Sequence, residues 1–274
     1  MASPLDPIDE IRLGSSTQHG PDRVYVPTDT SGTLEGCRIA ASWLERRALG
    51  WEGEPLVVVP TNAYSNDNDY LIGMTLKHRW ETSLAYQGAR AHGWLGGPVV
   101  LIYPNIRVLD WFDREPSVPV LCAVQGSVYD TTAWAKAHRP EDLTTGQPFS
   151  LEIEIDAVVA VALDAVQRSG SWHSLSSADD VSLLVRTLRL LQAHGHAFEP
   201  RELEAWAFSQ DWKGPAVERL RAYADKVSEK RQIPLRSTAA PPHGALSRWH
   251  RLASEKDMTP GPDAAYPPGS AFLS

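Results

Sequence analysis

Short apolar runs alternate with stretches of helical periodicity through the first half of the chain. Val24–Val26, Leu56–Val59, Val99–Tyr103 and Val118–Val124 are apolar almost without interruption. That is the pattern of strands covered on both faces of a parallel sheet. Between the first two, Leu34, Cys37, Ala41, Leu44 and Ala48 recur at three- and four-residue spacings and predict a helix that Gly50 ends. Tyr70, Leu71 and Met74 predict a second helix reaching His78 or Trp80, Ile106, Leu109 and Phe112 a short third, and Thr132 to Ala137 a fourth. Strand followed by helix, four times over, predicts an α/β fold with a mostly parallel, Rossmann-like open sheet and helices on both faces. Leu151–Ile155 alternates apolar residues with Glu152 and Glu154 and fits an edge strand, but Asp156 also fits the cap of a helix running through Val166, which is the preferred reading.

Past Ser169 the pattern changes. A serine-rich junction precedes three amphipathic segments: Val181, Leu184, Val185, Leu188 and Leu191; then Pro200 with Leu203, Trp206 and Ala207; then Pro215 with Val217, Leu220, Ala224 and Val227. They predict a small helical domain. The 21 prolines gather toward the two ends of the chain, where composition predicts loose segments. The expected organisation is a flexible N-terminal arm over 1–22, an α/β domain over 23–169, a helical domain over 170–232 and a Pro-rich flexible tail over 233–274, with a short helix near Leu246 to Ala253.

Charge and cysteine content narrow the function classes. A formal net charge of −8 gives no overall footprint for nucleic acid, so any such contact has to be local. Cys37 and Cys122 sit among apolar neighbours and read as buried thiols, which fits a reducing, cytoplasmic location. The first residues lack the basic start and apolar run of a signal peptide, and no stretch reaches the roughly 18 apolar residues of a membrane span.

Candidate chemistry lies in the turns after the strands, because open α/β sheets bind ligands at the carboxyl ends of their strands. Those turns contribute Thr28, Asp29, Ser31, Gly32 and Thr33, then Thr61 and Asn62, then Asn105, then Ser127. Helix N-termini at that edge favour an anion, so the expected guest is a phosphorylated or nucleotide-like small molecule. The competing reading is that the same residues are helix caps and turn formers. Neither a P-loop nor a dinucleotide fingerprint is present: no lysine enters the first turn, and Gly32 and Gly36 have the wrong spacing. No general base, nucleophile, cofactor motif or metal-ligand pattern stands out, and the Asp67, Asp69, Asp110 and Asp113 carboxylates read as solvated or capping groups.

A rival function is regulation or interaction. The segments at 200–209 and 215–228 have the length and turn of a helix-turn-helix, and residues 201–256 carry 11 Lys and Arg against 7 Asp and Glu. Lys213, Arg219, Arg221, Lys226, Lys230 and Arg231 are the groups that would touch DNA phosphates or a protein partner, although Glu202, Glu204 and Glu218 oppose a polyanion. Trp212 and Trp249 are the tryptophans least easily assigned to packing by pattern alone.

Overall fold

The computed structural model describes residues 21–27, 33–46, 50–60, 69–82, 93–126, 130–169 and 175–257. The first half alternates strands and helices: β1 (Asp22–Val26), α1 (Thr33–Arg46), β2 (Leu56–Val59), α2 (Asp69–Lys77), β3 (Arg79–Thr82), β4 (Val99–Ile102), α3 (Ile106–Asp113), β5 (Val120–Val124) and α4 (Thr132–His138). Two short strands follow, β6 (Glu141–Asp142) and β7 (Gln147–Pro148). The sheet order is β3-β2-β4-β5-β1-β6-β7, parallel throughout except for the β6–β7 pair.

Side chains alternate across this sheet, and each face has its own cover. Val24, Val26, Val57, Val59, Val100, Ile102, Cys122 and Val124 point to one side, where Cys37, Ala40 and Leu44 of α1 and Leu71 and Met74 of α2 pack over them. Tyr25, Leu56, Val58, Val99, Leu101, Leu121 and Ala123 point to the other, against Val108, Leu109 and Phe112 of α3 and Trp134 of α4. Each of these aliphatic side chains contributes about 1.5–3 kcal/mol relative to exposure. Burial on both faces is why the strands read as uninterrupted apolar runs.

Two elements depart from the sequence expectation. The second helix ends at Lys77, and Arg79–Thr82 forms β3. Among the described residues this strand lies at the sheet edge beside β2 alone, where no apolar run is required. The loop expected over 139–146 contains β6 and leads through a tight turn into β7. Asp142 Oδ1 accepts from Thr144 N at 2.8 Å, and Gly146 takes φ +68°.

The remaining helices are α5 (Ala157–Ser169), α6 (Ala178–Ala193), α7 (Pro200–Ser209), α8 (Gly214–Ser228) and α9 (Ala245–Asp257). Asp156 caps α5, its Oδ1 accepting from Val158 N at 2.7 Å and Val159 N at 3.1 Å, and 151–155 form no strand. Ser177 caps α6 by accepting from Asp180 N at 3.0 Å. The apolar core continues from the sheet face into α5–α9. Within 233–274, the short helix expected near Leu246 to Ala253 is α9, with Ala245, Trp249 and Ala253 buried at four-residue spacing. Among the described residues no helix is long and apolar enough to cross a membrane.

Candidate functional site

The connections after neighbouring strands β1 and β5 leave the sheet on opposite faces, α1 covering one and α4 the other. Open α/β sheets place their ligands at such a divergence, beyond the strands' carboxyl ends. The start of α1 lies over the ends of β1 and β5. A Cβ on Gly36 would meet Val124 Cγ1 at 3.2 Å and Val26 Cγ1 at 3.6 Å, so a bare α-carbon lets the first turn settle onto the ends of both strands.

A polar network lines the described side of this edge. Tyr25 crosses to the α4 face, and its hydroxyl donates to Gln125 Oε1. Gln125 extends β5 by donating its backbone N–H to Val26 O at 2.9 Å, while its Nε2 donates to Asp130 Oδ1 at 3.3 Å and Thr132 Oγ1 at 3.4 Å. Asp130 accepts from Thr132 N at 2.9 Å at the start of α4, and Arg201 of α7 meets its second oxygen at 2.9 Å. One turn along α7, Glu204 accepts from Arg221 of α8 at 2.7 Å. Next to β5 stands Tyr103, which ends β4 at φ +50°, fits beneath Gly126 and lies 3.3 Å from the Cys37 thiol.

Electrostatics divide these groups. Burial works against the Asp130 carboxylate, but the Thr132 hydrogen bonds and the Arg201 and Arg221 charges outweigh it and hold its pKa below the ordinary value. Glu204 is only 3% exposed, and burial pushes its carboxyl up to about 7 despite Arg221. Burial also raises the Tyr25 phenol to about 12, so it acts as a neutral donor. The result is one carboxylate kept charged and one carboxyl poised near neutrality, both beside arginines. A perturbed pair of this kind marks a candidate functional site.

The expected site residues fall into three groups. Thr28, Asp29, Ser31, Gly32, Thr61, Asn62 and Ser127 lie outside the described residues, in segments that follow the ends of β1, β2 and β5. Thr33 opens α1. Asn105 caps α3, with Oδ1 accepting from Arg107 N at 3.1 Å and Val108 N at 3.0 Å. Sequence reasoning passed over Asp130 and Arg201, and assigned Glu204 and Arg221 to the helix-turn-helix-like surface rather than to this edge. Glu204 carried a signal: it lies four residues from both Pro200 and Phe208, which are buried on the same helix, so its position was inward.

The turn of the helix-turn-helix-like region and the start of α8 pack against α3 and the residue that follows it. A Cβ on Gly214, at the start of α8, would meet Asp110 Cβ at 2.8 Å and Ile106 O at 3.0 Å. Arg114 ties down the turn before it, bonding Asp211 Oδ1 at 2.7 Å and Trp212 O at 3.0 Å. Trp212 is fully buried, its ring 6.0 Å from that of Trp206. A recognition helix offers its N-terminal residues to base edges; here that end faces α3. Of the basic residues, Arg221 pairs with Glu204, Arg231 with Glu229, and Lys226 lies 5.2 Å over the Tyr223 ring. Asp110 and Asp113 are also engaged, the first with Arg114 at 2.7 Å and the second with Arg23 at 2.6 Å.

Comparison with known proteins returned no matching curated protein and no matching solved structure. Residues 155–250, about a third of the chain and spanning α5 to the first half of α9, match the family model described as Domain of unknown function (DUF1889).

Proposed function

We propose that the protein binds a phosphorylated or nucleotide-like small molecule in the crevice at the carboxyl ends of β1 and β5. The observation that carries this reading is the seating of the α1 start over the ends of both strands, where the connections diverge to opposite faces. The backbone N–H groups of Ser31 to Thr33 hold the anion at the start of α1. Thr28, Asp29, Thr61, Asn62 and Ser127 read the remaining polar groups of the ligand. Gln125 and Asp130 form the opposite wall, and Arg201 supplies a positive charge within reach of it.

The test is a thermal-shift panel of nucleotides, dinucleotides, cyclic nucleotides and sugar phosphates on the full chain. A ligand at 100 times its Kd adds about 2.7 kcal/mol, which for a chain of this size raises Tm by roughly 5–10 °C. Gly32→Asp places a negative charge beside the proposed anion site and abolishes that shift while leaving the circular dichroism spectrum unchanged. A panel in which no compound moves Tm overturns the proposal and turns attention to an interaction role for the exposed faces of α7 and α8.

A further inference from the structure

Three polar side chains from separate parts of the helical layer meet at the start of α5. His196, in the turn between α6 and α7, places Nδ1 3.1 Å from Asp156 Oδ2 and Nε2 3.2 Å from Nε2 of His250 on α9. The centroids of the two imidazole rings are 4.8 Å apart.

The backbone holds the first two groups in place. The His196 backbone N–H donates to Leu191 O at 3.0 Å, closing the end of α6 around Gly195 at φ +83°. Its side chain is 11% exposed. Asp156 is fixed by its cap on α5, where Oδ1 accepts from Val158 N and Val159 N and leaves Oδ2 for His196. A carboxylate at Nδ1 accepts the proton there, so Nε2 of His196 keeps its lone pair. His250 is exposed, and exchange with water moves its ring proton from one nitrogen to the other. Its Nε2 therefore either donates to His196 or offers a second lone pair beside the first. Two metal–nitrogen bonds of ~2.0–2.1 Å drawn from atoms 3.2 Å apart meet at about 100°, close to the tetrahedral angle. A carboxylate on the far nitrogen is also the usual support of a metal-binding imidazole.

We propose that His196 and His250 bind a zinc ion through their Nε2 atoms, with Asp156 as the carboxylate that orients His196. Imidazole nitrogen suits zinc, whereas magnesium and calcium prefer oxygen ligands. Among the described residues no group of three or more His, Cys, Asp or Glu could hold an ion, so the two nitrogens are the protein ligands and water fills the other positions. The ion ties α9 to the turn between α6 and α7 and, through Asp156, to the start of α5. With two protein ligands, its affinity is below that of a four-ligand structural site.

The probe is zinc chloride, titrated by calorimetry into the full chain in a non-chelating buffer at neutral pH, with magnesium chloride as the control. The expected result is one zinc ion per chain and no binding of magnesium. His250→Ala removes an exposed side chain, leaves a single nitrogen and abolishes zinc binding. Asp156→Asn is the sharper variant. Asparagine caps a helix as well as aspartate does, so α5 is retained. With its oxygen held by the cap, its amide N–H₂ faces Nδ1 of His196 and drives the ring proton to Nε2, where the lone pair is lost. Zinc affinity then falls by about 10–100-fold, with the circular dichroism spectrum unchanged. His194→Ala and His243→Ala leave the affinity as it was. The proposal is overturned if the wild type takes up no zinc, if His250→Ala binds it as tightly, which would mark an adventitious ion only, or if Asp156→Asn keeps the wild-type affinity.

Discussion

Replacing Glu204 with glutamine should remove a pH dependence of stability that its burial creates. The native carboxyl titrates near 7 rather than at its ordinary 4.5. The native state therefore holds a proton that the unfolded chain has already released between those values. Stability from this group is full below 4.5 and falls as pH rises through 7. At about 1.36 kcal/mol per pH unit, the loss is ~3 kcal/mol on going from pH 4.5 to pH 8. With Glu204 at 3% exposure, solvent does little to screen it. The wild-type profile alone hides the effect, because His138 has the opposite slope. Burial lowers His138 from 6.5 to about 4, so its neutral form is the native one and stability rises through that window. The informative quantity is the difference between wild type and Glu204→Gln, which cancels His138 and every other shared group. Urea denaturation at pH 5 and pH 8 should show the variant gaining on the wild type by ~2–3 kcal/mol between the two, with Arg221, one-third exposed, left to solvent. A difference that stays constant to within about 0.5 kcal/mol refutes the argument that burial outweighs Arg221 at this carboxyl.

Gly126→Ala should cost about 1–3 kcal/mol in urea denaturation, because the added Cβ would stand 2.7 Å from Tyr103 Cγ in a packed interior; a neutral result would mean that Tyr103 is free to move at the end of β4. Asn105→Ala should lower stability by ~1 kcal/mol through loss of the α3 cap, with any thermal shift from a crevice ligand unchanged. Loss of that shift would assign Asn105 to the ligand instead.

The parts of the fold that were legible are those where one physical demand dominates. β2, β4 and β5 are buried on both faces, so every position must be apolar and the run is unmistakable. The start of α5 was legible because Asp156 satisfies orphan N–H groups in a way few residues can. β3 left no such mark, since an edge strand with one neighbour tolerates charge. α9 was legible as a short helix near Leu246 to Ala253, but its inward stripe of Ala245, Trp249 and Ala253 was not, being small and dilute among prolines. The polar strand-end edge followed from topology alone. Its charged wall did not, because Asp130, Arg201, Glu204 and Arg221 come from separate elements, and only tertiary packing brings them together. The basic character of 201–256 pointed to phosphates for the opposite reason: summed charge does not record that Arg221 and Arg231 already have partners.

The place of β1 in the sheet has a consequence for synthesis. Of the described strands it is made first, yet its partners are β5, about a hundred residues later, and β6 beyond that. At roughly 5–20 residues per second, β1 waits on the order of 5 to 20 s on the ribosome with both edges bare. Val24, Tyr25 and Val26 are then an unpaired apolar strand, the kind of segment chaperones protect. Slowing translation between β1 and β5 should lengthen that exposure and lower the soluble yield, whereas a pause placed after β6 should not.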